Sequence, residues 1–234
     1  MQQLALFGMM SDEKIVFQSE RVKAYENALL NLNKSQLLYV CNCSRKKITE
    51  SRINSSLDGS ETVYPGFCRP EINHICSFKN LSGAVRIKIP NNTIILNQNL
   101  NEEVGDFVLK RNDGIFSYQL AVVVDDDFQK ITHIVRGQDL ESNTPRQIWL
   151  QQQLQFQQPK YLHIPLVMNG AGEKLSKQTK APIVWPSNTT EALHYLHMAS
   201  EHLGLGLSKP NSTLTIAQWQ EQAVEAWKNL FKTF

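Results

Sequence analysis

The chain has 234 residues and a mass of 26.7 kDa, with 41% hydrophobic and 20% charged residues, enough for one sizeable core plus a smaller appendage, which excludes a fibrous or wholly disordered polypeptide. A net charge of +2 and a pI near 8.3 are too mild for a chain that grips nucleic acid by bulk charge, although they permit a local basic face. The opening MQQLALFGMMSDEK lacks the basic residues and cleavage site of a signal peptide, and no stretch is long enough to span a bilayer, so a cytoplasmic protein with no membrane partner is expected.

In chain order, SERVKAYENALLNLN (19–33) places Val22, Tyr25, Leu29 and Leu32 on one helical face behind Ser19 as a candidate cap. QLLYVC (36–41) is apolar and strand-like, and it opens a polar stretch, 41–76, that reads as an insert. Alternation returns in GAVRIKIP, where Val85, Ile87 and Ile89 share one face and Arg86 and Lys88 the other. DFVLKRNDGIFSYQL gives two strand-like runs around Asp113-Gly114, which predicts a hairpin. A buried apolar run from Leu120 to Val124 then leads to a solvated acidic turn.

NTPRQIWLQQQLQF starts a helix with Thr144 as cap and Pro145 at its first position, where a missing N–H costs nothing. Near the end, TEALHYLHMASEHLGLG carries a stripe of Leu193, Leu196, Ala199 and Leu203 with Gly204 as C-cap. TIAQWQEQAVEAWKNLFK carries another of Ile216, Trp219, Ala223, Trp227 and Leu230. The mixture predicts an α/β fold with a helical tail.

Three places carry chemistry. CNC at 41–43 and YPGFC at 64–68 bring three thiols into the insert. Without a secretory signal, clustered thiols hold metal more often than they form disulfides, and a closed zinc site needs a fourth ligand. Tyr64, His74, Cys76 or a water could supply it. In the segment 118–147, Tyr118 and Arg136 could line a pocket for a small anion, since a guanidinium fork matches a carboxylate; the plainer alternative pairs Arg136 with a nearby acid. In NGAGEKLSKQTKAP (169–182), Lys174 and Lys177 flank Ser176 in a glycine-opened loop, a pattern suited to phosphate.

Taken together, YQLAVVVDDDFQKITHIVRGQDLESNTPRQIWL and the following GEKLSKQ resemble the catalytic domain of class I glutamyl-tRNA synthetases, with Lys174-Leu175-Ser176-Lys177-Gln178 standing where that family has its KMSKS loop. The short stretch after Gln178 and the CNC…YPGFC insert narrow the resemblance to the glutamyl-queuosine tRNA(Asp) synthetases. That resemblance implies a Rossmann-like catalytic domain, with 1–40 and 111–168 as its parts, 41–110 as a zinc-binding insert, and 169–234 as the lysine loop and a C-terminal helical region. It implies one structural Zn²⁺ on Cys41, Cys43, Tyr64 and Cys68. Tyr118 and Arg136 become glutamate contacts, Lys174 and Lys177 ATP contacts, and Lys177 the catalytic cation. ATP with Mg²⁺, L-glutamate and queuosine-bearing tRNA(Asp) are the implied partners of a monomer.

One departure stands out. The family's first strand and its HIGH signature have no counterpart here, the six histidines lying at 74, 133, 163, 194, 197 and 202, so the domain is expected to be incomplete at its N-terminus. Two alternatives stay open: a fragment of a synthetase that charges tRNA(Glu), or a non-catalytic RNA- or zinc-binding module in which Arg45, Lys46 and Lys47 touch an RNA backbone.

Overall fold

The computed structural model describes residues 2–50, 63–69, 75, 78, 81–176, 179 and 181–231, with Arg45 described in its backbone only. Among these residues the helices are α1 (Gln2–Leu6), α2 (Val22–Lys34), α3 (Arg45–Glu50), α4 (Leu100–Glu103), α5 (Tyr118–Phe128), α6 (Thr144–Leu154), α7 (Thr189–His202) and α8 (Ile216–Leu230). The strands are β1 (Leu38–Cys41), β2 (Ala84–Ile87), β3 (Ile94–Ile95), β4 (Gln98–Asn99), β5 (Phe107–Lys110), β6 (His133–Gly137) and β7 (Lys160–Ile164). The chain divides into two compact units. One comprises Phe17–Thr132 and Ser142–Pro159; the other comprises Met1–Val16, His133–Glu141 and Lys160–Phe234.

The first unit is built on an antiparallel sheet in the order β1-β2-β5. Val85 of β2 pairs with Val40 of β1 and Lys110 of β5, and a bulge between Val85 and Arg86 shifts the β5 register. Helices α2, α5 and α6 pack together, and Leu29, Leu32, Leu38, Ile87, Leu109, Leu120 and Leu150 are essentially free of solvent. As the sequence pattern predicts, Tyr25, Leu29 and Leu32 face inward, and so do Val85, Ile87 and Ile89.

Several expectations are corrected in this unit. Helix α2 starts at Val22 with Arg21 at its N-cap, after a 3-10 turn at Gln18–Glu20, so Ser19 does not cap it and Val22 is exposed. The second half of the predicted hairpin is a helix. The turn at Gly114 forms and Lys110 bridges to Phe116, but Ser117 then caps α5 by accepting from the Leu120 N–H at 3.4 Å. The acidic end of α5 is not simply solvated, because Asp125 is buried and accepts from Arg21 Nε at 2.5 Å, the Tyr25 hydroxyl at 2.7 Å and Gln18 Nε2 at 3.2 Å. For α6 the cap position falls on Asn143 rather than Thr144, with Pro145 in the first turn.

In the second unit, β6 and β7 run parallel, with Arg136 opposite His163 in the ladder. Parallel neighbours need a long crossover, and α6 lies between them in the chain. Helix α7 ends as predicted, with Gly204 N–H bonding Glu201 O at 3.0 Å and Leu205 N–H bonding Ser200 O at 2.9 Å, the paired bonds of a Schellman motif. Its buried stripe differs from the predicted one: Ala192, Leu193, His197 and Ser200 are inside, whereas Ala199 is exposed. His197 meets the buried Trp219 of α8 edge-on at 5.7 Å. None of the described helices is long and apolar enough to cross a membrane.

Candidate metal centre and candidate active-site residues

Cys41 ends β1, and Cys43 follows one residue into the loop. Gly83, at φ +123°, lets the chain run against this loop; a Cβ there would lie 2.2 Å from Asn42 Oδ1 and 3.0 Å from Cys41 O. Tyr64 is placed by a backbone bridge to Gly105, and Cys68 follows in the same loop. The three sulfurs lie within 4.8 Å of one another. Cys43 Sγ is 3.4 Å from Cys68 Sγ, and the Tyr64 phenol oxygen is 3.4 Å from Cys41 Sγ and 3.6 Å from Cys43 Sγ. A tetrahedral ion with arms of about 2.0–2.3 Å sets its ligands roughly 3.5–3.8 Å apart. The three separations of 3.4–3.6 Å lie close to that spacing.

The surroundings hold the donors in place. Arg86 lies over the Tyr64 ring with Cζ 3.9 Å from its centroid, and its Nη1 donates to Asp106 O at 2.9 Å. Arg69, next to Cys68, donates Nε to Asp106 Oδ2 at 2.9 Å and Nη2 to Oδ1. Tyr39 on β1 donates its hydroxyl to Oδ2 at 2.6 Å, and the Ile89 N–H donates to Oδ1 at 2.8 Å. Burial pushes Tyr64 well above the usual phenol range and also raises Cys43. Burial alone would raise Cys68 too, but its hydrogen bonds to Tyr64, the Asn42 backbone and the other thiols outweigh it and bring Cys68 down to about 7. A thiol near that value is readily available as the thiolate that a metal binds. His74 and Cys76, the alternative fourth ligands, lie outside the described residues.

Tyr118 is the first residue of α5 and is exposed. Arg136 lies in the second unit on β6. Its Nε donates to His163 Nε2 at 3.2 Å, and its Cζ stands 5.1 Å from the Tyr161 ring centroid. Lys174 bridges back to Met168 and pairs with Asp139, which holds that carboxyl below its usual range. The turn between them is tied by Asn169, whose N–H donates to Glu173 O at 2.8 Å and whose Oδ1 accepts from the Glu173 N–H at 2.9 Å. Lys177 lies outside the described residues; beside it, Ser176 N–H donates to Thr179 Oγ1 at 2.8 Å.

Sequence reasoning missed Asp106, Arg69, Asp139 and His163, and it read Arg86 only as part of a polar strand face. For Arg86 the alternation in GAVRIKIP marks the side correctly, but not the aromatic ring waiting there. His163 carried a weaker signal: an apolar run, KYLHI, just ahead of the lysine loop.

The family model for the catalytic domain of class I tRNA synthetases (E and Q) matches residues 1–218. A glutamyl-Q tRNA(Asp) synthetase of Janthinobacterium sp. (strain Marseille) is 42% identical over 244 aligned positions, covering 99% of this chain and 79% of that protein. One of Acinetobacter baylyi is 41% identical, covering 92% and 72%. Among solved structures, a glutamate-tRNA synthetase from Elizabethkingia anophelis superposes with a TM-score of 0.68 at 21% identity. It is covered over 60% of its length and this chain over 100%, so the likeness speaks for the fold. The chain belongs to the class I tRNA synthetase (E and Q) catalytic-domain family.

Proposed function

We propose that this chain activates L-glutamate with ATP and transfers it to queuosine in tRNA(Asp). The observation that carries this reading is the 42% identity, across nearly the whole chain, to proteins named for that activity, together with a three-thiol, one-phenol cluster built from the residues that the family resemblance singled out.

In the first step a glutamate carboxylate oxygen attacks the α-phosphorus of ATP. The bond to the β-phosphate bridge breaks, pyrophosphate leaves and glutamyl adenylate remains. Tyr118 and the Arg136 guanidinium hold the amino acid, the latter as a bidentate fork. Lys174 and Lys177 meet the phosphates, with Lys177 offsetting charge that builds up in the transition state, and Mg²⁺ accompanies ATP. In the second step a ring hydroxyl of queuosine attacks the acyl carbon and AMP departs, with the protein contributing mainly orientation. By role, 1–40 and 111–168 form the catalytic fold, 41–110 the metal-bearing insert, and 169–234 the lysine loop and helical region. The protein acts in the cytoplasm as a monomer.

Cys41, Cys43, Cys68 and Tyr64 hold the zinc in this reading. When bound, the ion supplies a cross-link between β1 and the loop 63–69 and does not take part in the reaction.

The test is glutamate-dependent pyrophosphate exchange, followed by transfer of labelled glutamate to tRNA(Asp) with and without queuosine and to tRNA(Glu). Label on queuosine-bearing tRNA(Asp) alone supports the reading; label on tRNA(Glu) instead overturns it.

A further inference from the structure

Arg136 and His163 are direct partners in the parallel β6–β7 ladder, so their side chains leave the sheet on the same side and at the same level. Tyr161, two residues before His163 on β7, projects from that same face. Its ring lies nearly parallel to the imidazole, 7° apart with centroids 6.4 Å from each other. Arg136 Nε donates to His163 Nε2 at 3.2 Å, while the guanidinium carbon stands 5.1 Å from the Tyr161 centroid.

A histidine nitrogen accepts a hydrogen bond only when it is bare, so the proton of this imidazole sits on Nδ1. An acceptor for its Nε–H and an aromatic ring beside it thus both orient the guanidinium. A bidentate contact needs a plane held in advance, and a freely rotating guanidinium loses affinity on being ordered.

We propose that neutral His163 is the positioning residue that sets the Arg136 guanidinium for the substrate carboxylate, and that protonation of His163 releases it. This inference rests on the assignment of Arg136 to glutamate made above.

The groups that face the imidazole include Arg136 and Glu141, from β6 and the segment that follows it, and Tyr161 on β7 itself. Burial first, then the Arg136 charge, lower the pKa of His163 from its ordinary value, while Glu141 opposes them. At neutral pH the acceptor is therefore in place. As pH falls through the lowered pKa, Nε2 gains a proton, becomes a donor, and two cations face each other. Glutamate affinity then drops on the acid side.

The experiment titrates the full chain with L-glutamate by calorimetry from about pH 8 down to about pH 5, the range in which an imidazole changes charge. It compares the unmodified chain with His163→Leu, His163→Gln and Arg136→Lys. Loss of one hydrogen bond to a charged group corresponds to about a tenfold weaker Kd. The unmodified chain is expected to weaken by about that factor toward acid. His163→Leu should be weaker at every pH by a similar factor. His163→Gln, whose amide oxygen accepts the Nε–H but does not titrate, should recover most of the loss and show no acid limb. A merely structural histidine would not give that flat profile.

Imidazole ¹⁵N shifts should show the proton on Nδ1. An unaltered Kd in His163→Leu, an acid limb that persists in His163→Gln, or the proton on Nε2 overturns the inference while leaving the functional reading intact. Failure of the unmodified chain to bind glutamate, or undiminished binding by Arg136→Lys, overturns that reading and the inference with it.

Discussion

Asp106 shows how much one carboxylate organises. Its two oxygens take four donors, from Tyr39, Arg69 twice and Ile89, which fills the acceptor sites of an ionised carboxyl, and its side chain is only 1% exposed. Replacing it as Asp106→Asn turns an amide group toward donors and leaves Arg69 without its counter-charge. The cost should be about 2–3 kcal/mol in urea denaturation, because Arg69 keeps some contact with water. The network ends on Tyr64 and beside Cys68, so the variant should also release zinc to a chelator about 10–100 times more readily. Gly105 offers a second probe. At φ +66° a Cβ would lie 2.8 Å from Val63 Cγ1 and 3.2 Å from Tyr64 O, so Gly105→Ala should cost about 1–3 kcal/mol and loosen the same metal site. Tyr25 gives a pH signature. Burial, then its bond to Asp125, raises its pKa to about 12 from the ordinary phenol value of 10.0. A phenol that holds its proton more tightly when folded adds stability that is complete below the unfolded pKa and is lost as pH rises through the folded one. Stability should therefore decline between those two values, and Tyr25→Phe should remove that part of the alkaline slope in urea titrations.

At the level of elements, the end of α7 at Gly204 was legible in the sequence, whereas the N-caps of α2 and α6 fell on Arg21 and Asn143 rather than on Ser19 and Thr144. Thr215 caps α8 and Gln218 returns the bond, since each side chain meets the other's backbone N–H. Thr215→Ala should destabilise the protein by about 1 kcal/mol, measured as a shift in the urea midpoint with an unchanged slope. Helix α5 was harder to read, because Leu120–Val124 is rich in β-branched residues and follows a true turn at Gly114. Local preference favours a strand there. The helix prevails because its Ser117 cap starts it, its apolar side packs against α2 and α6, and Asp125 locks onto Arg21 and Tyr25. Strand β6 left little trace, since none of its five residues is fully buried and they lack a period-2 pattern.

Across the whole molecule, the cluster of three thiols and a phenol joins segments far apart in sequence: the end of β1, and a loop more than twenty residues later. Three cysteines and a tyrosine do not stay together in an unfolded chain, so a metal ion held by them, as proposed above, would add to folding stability. Chelation should lower the melting temperature, and re-addition of zinc should restore it. Cys68→Ser should cut the zinc content measured by elemental analysis from about one per chain, and the melting temperature of that variant should then respond little to chelator.

The amino-acid sequence determined the helix at α2, the alternating β2, the end of α7 at Gly204, the helical run of α8, the cysteine spacing and the family signature around Lys174, because each is written in residues close together along the chain. Tertiary structure alone decided that α5 is a helix and that Asp125 and Asp106 are buried hubs. It also placed Arg86 over Tyr64, and it brought His163 to Arg136 through a parallel ladder. The reason is physical: partners separated by tens of residues meet only when strands pair and helices pack, and no local pattern records which face will find which neighbour.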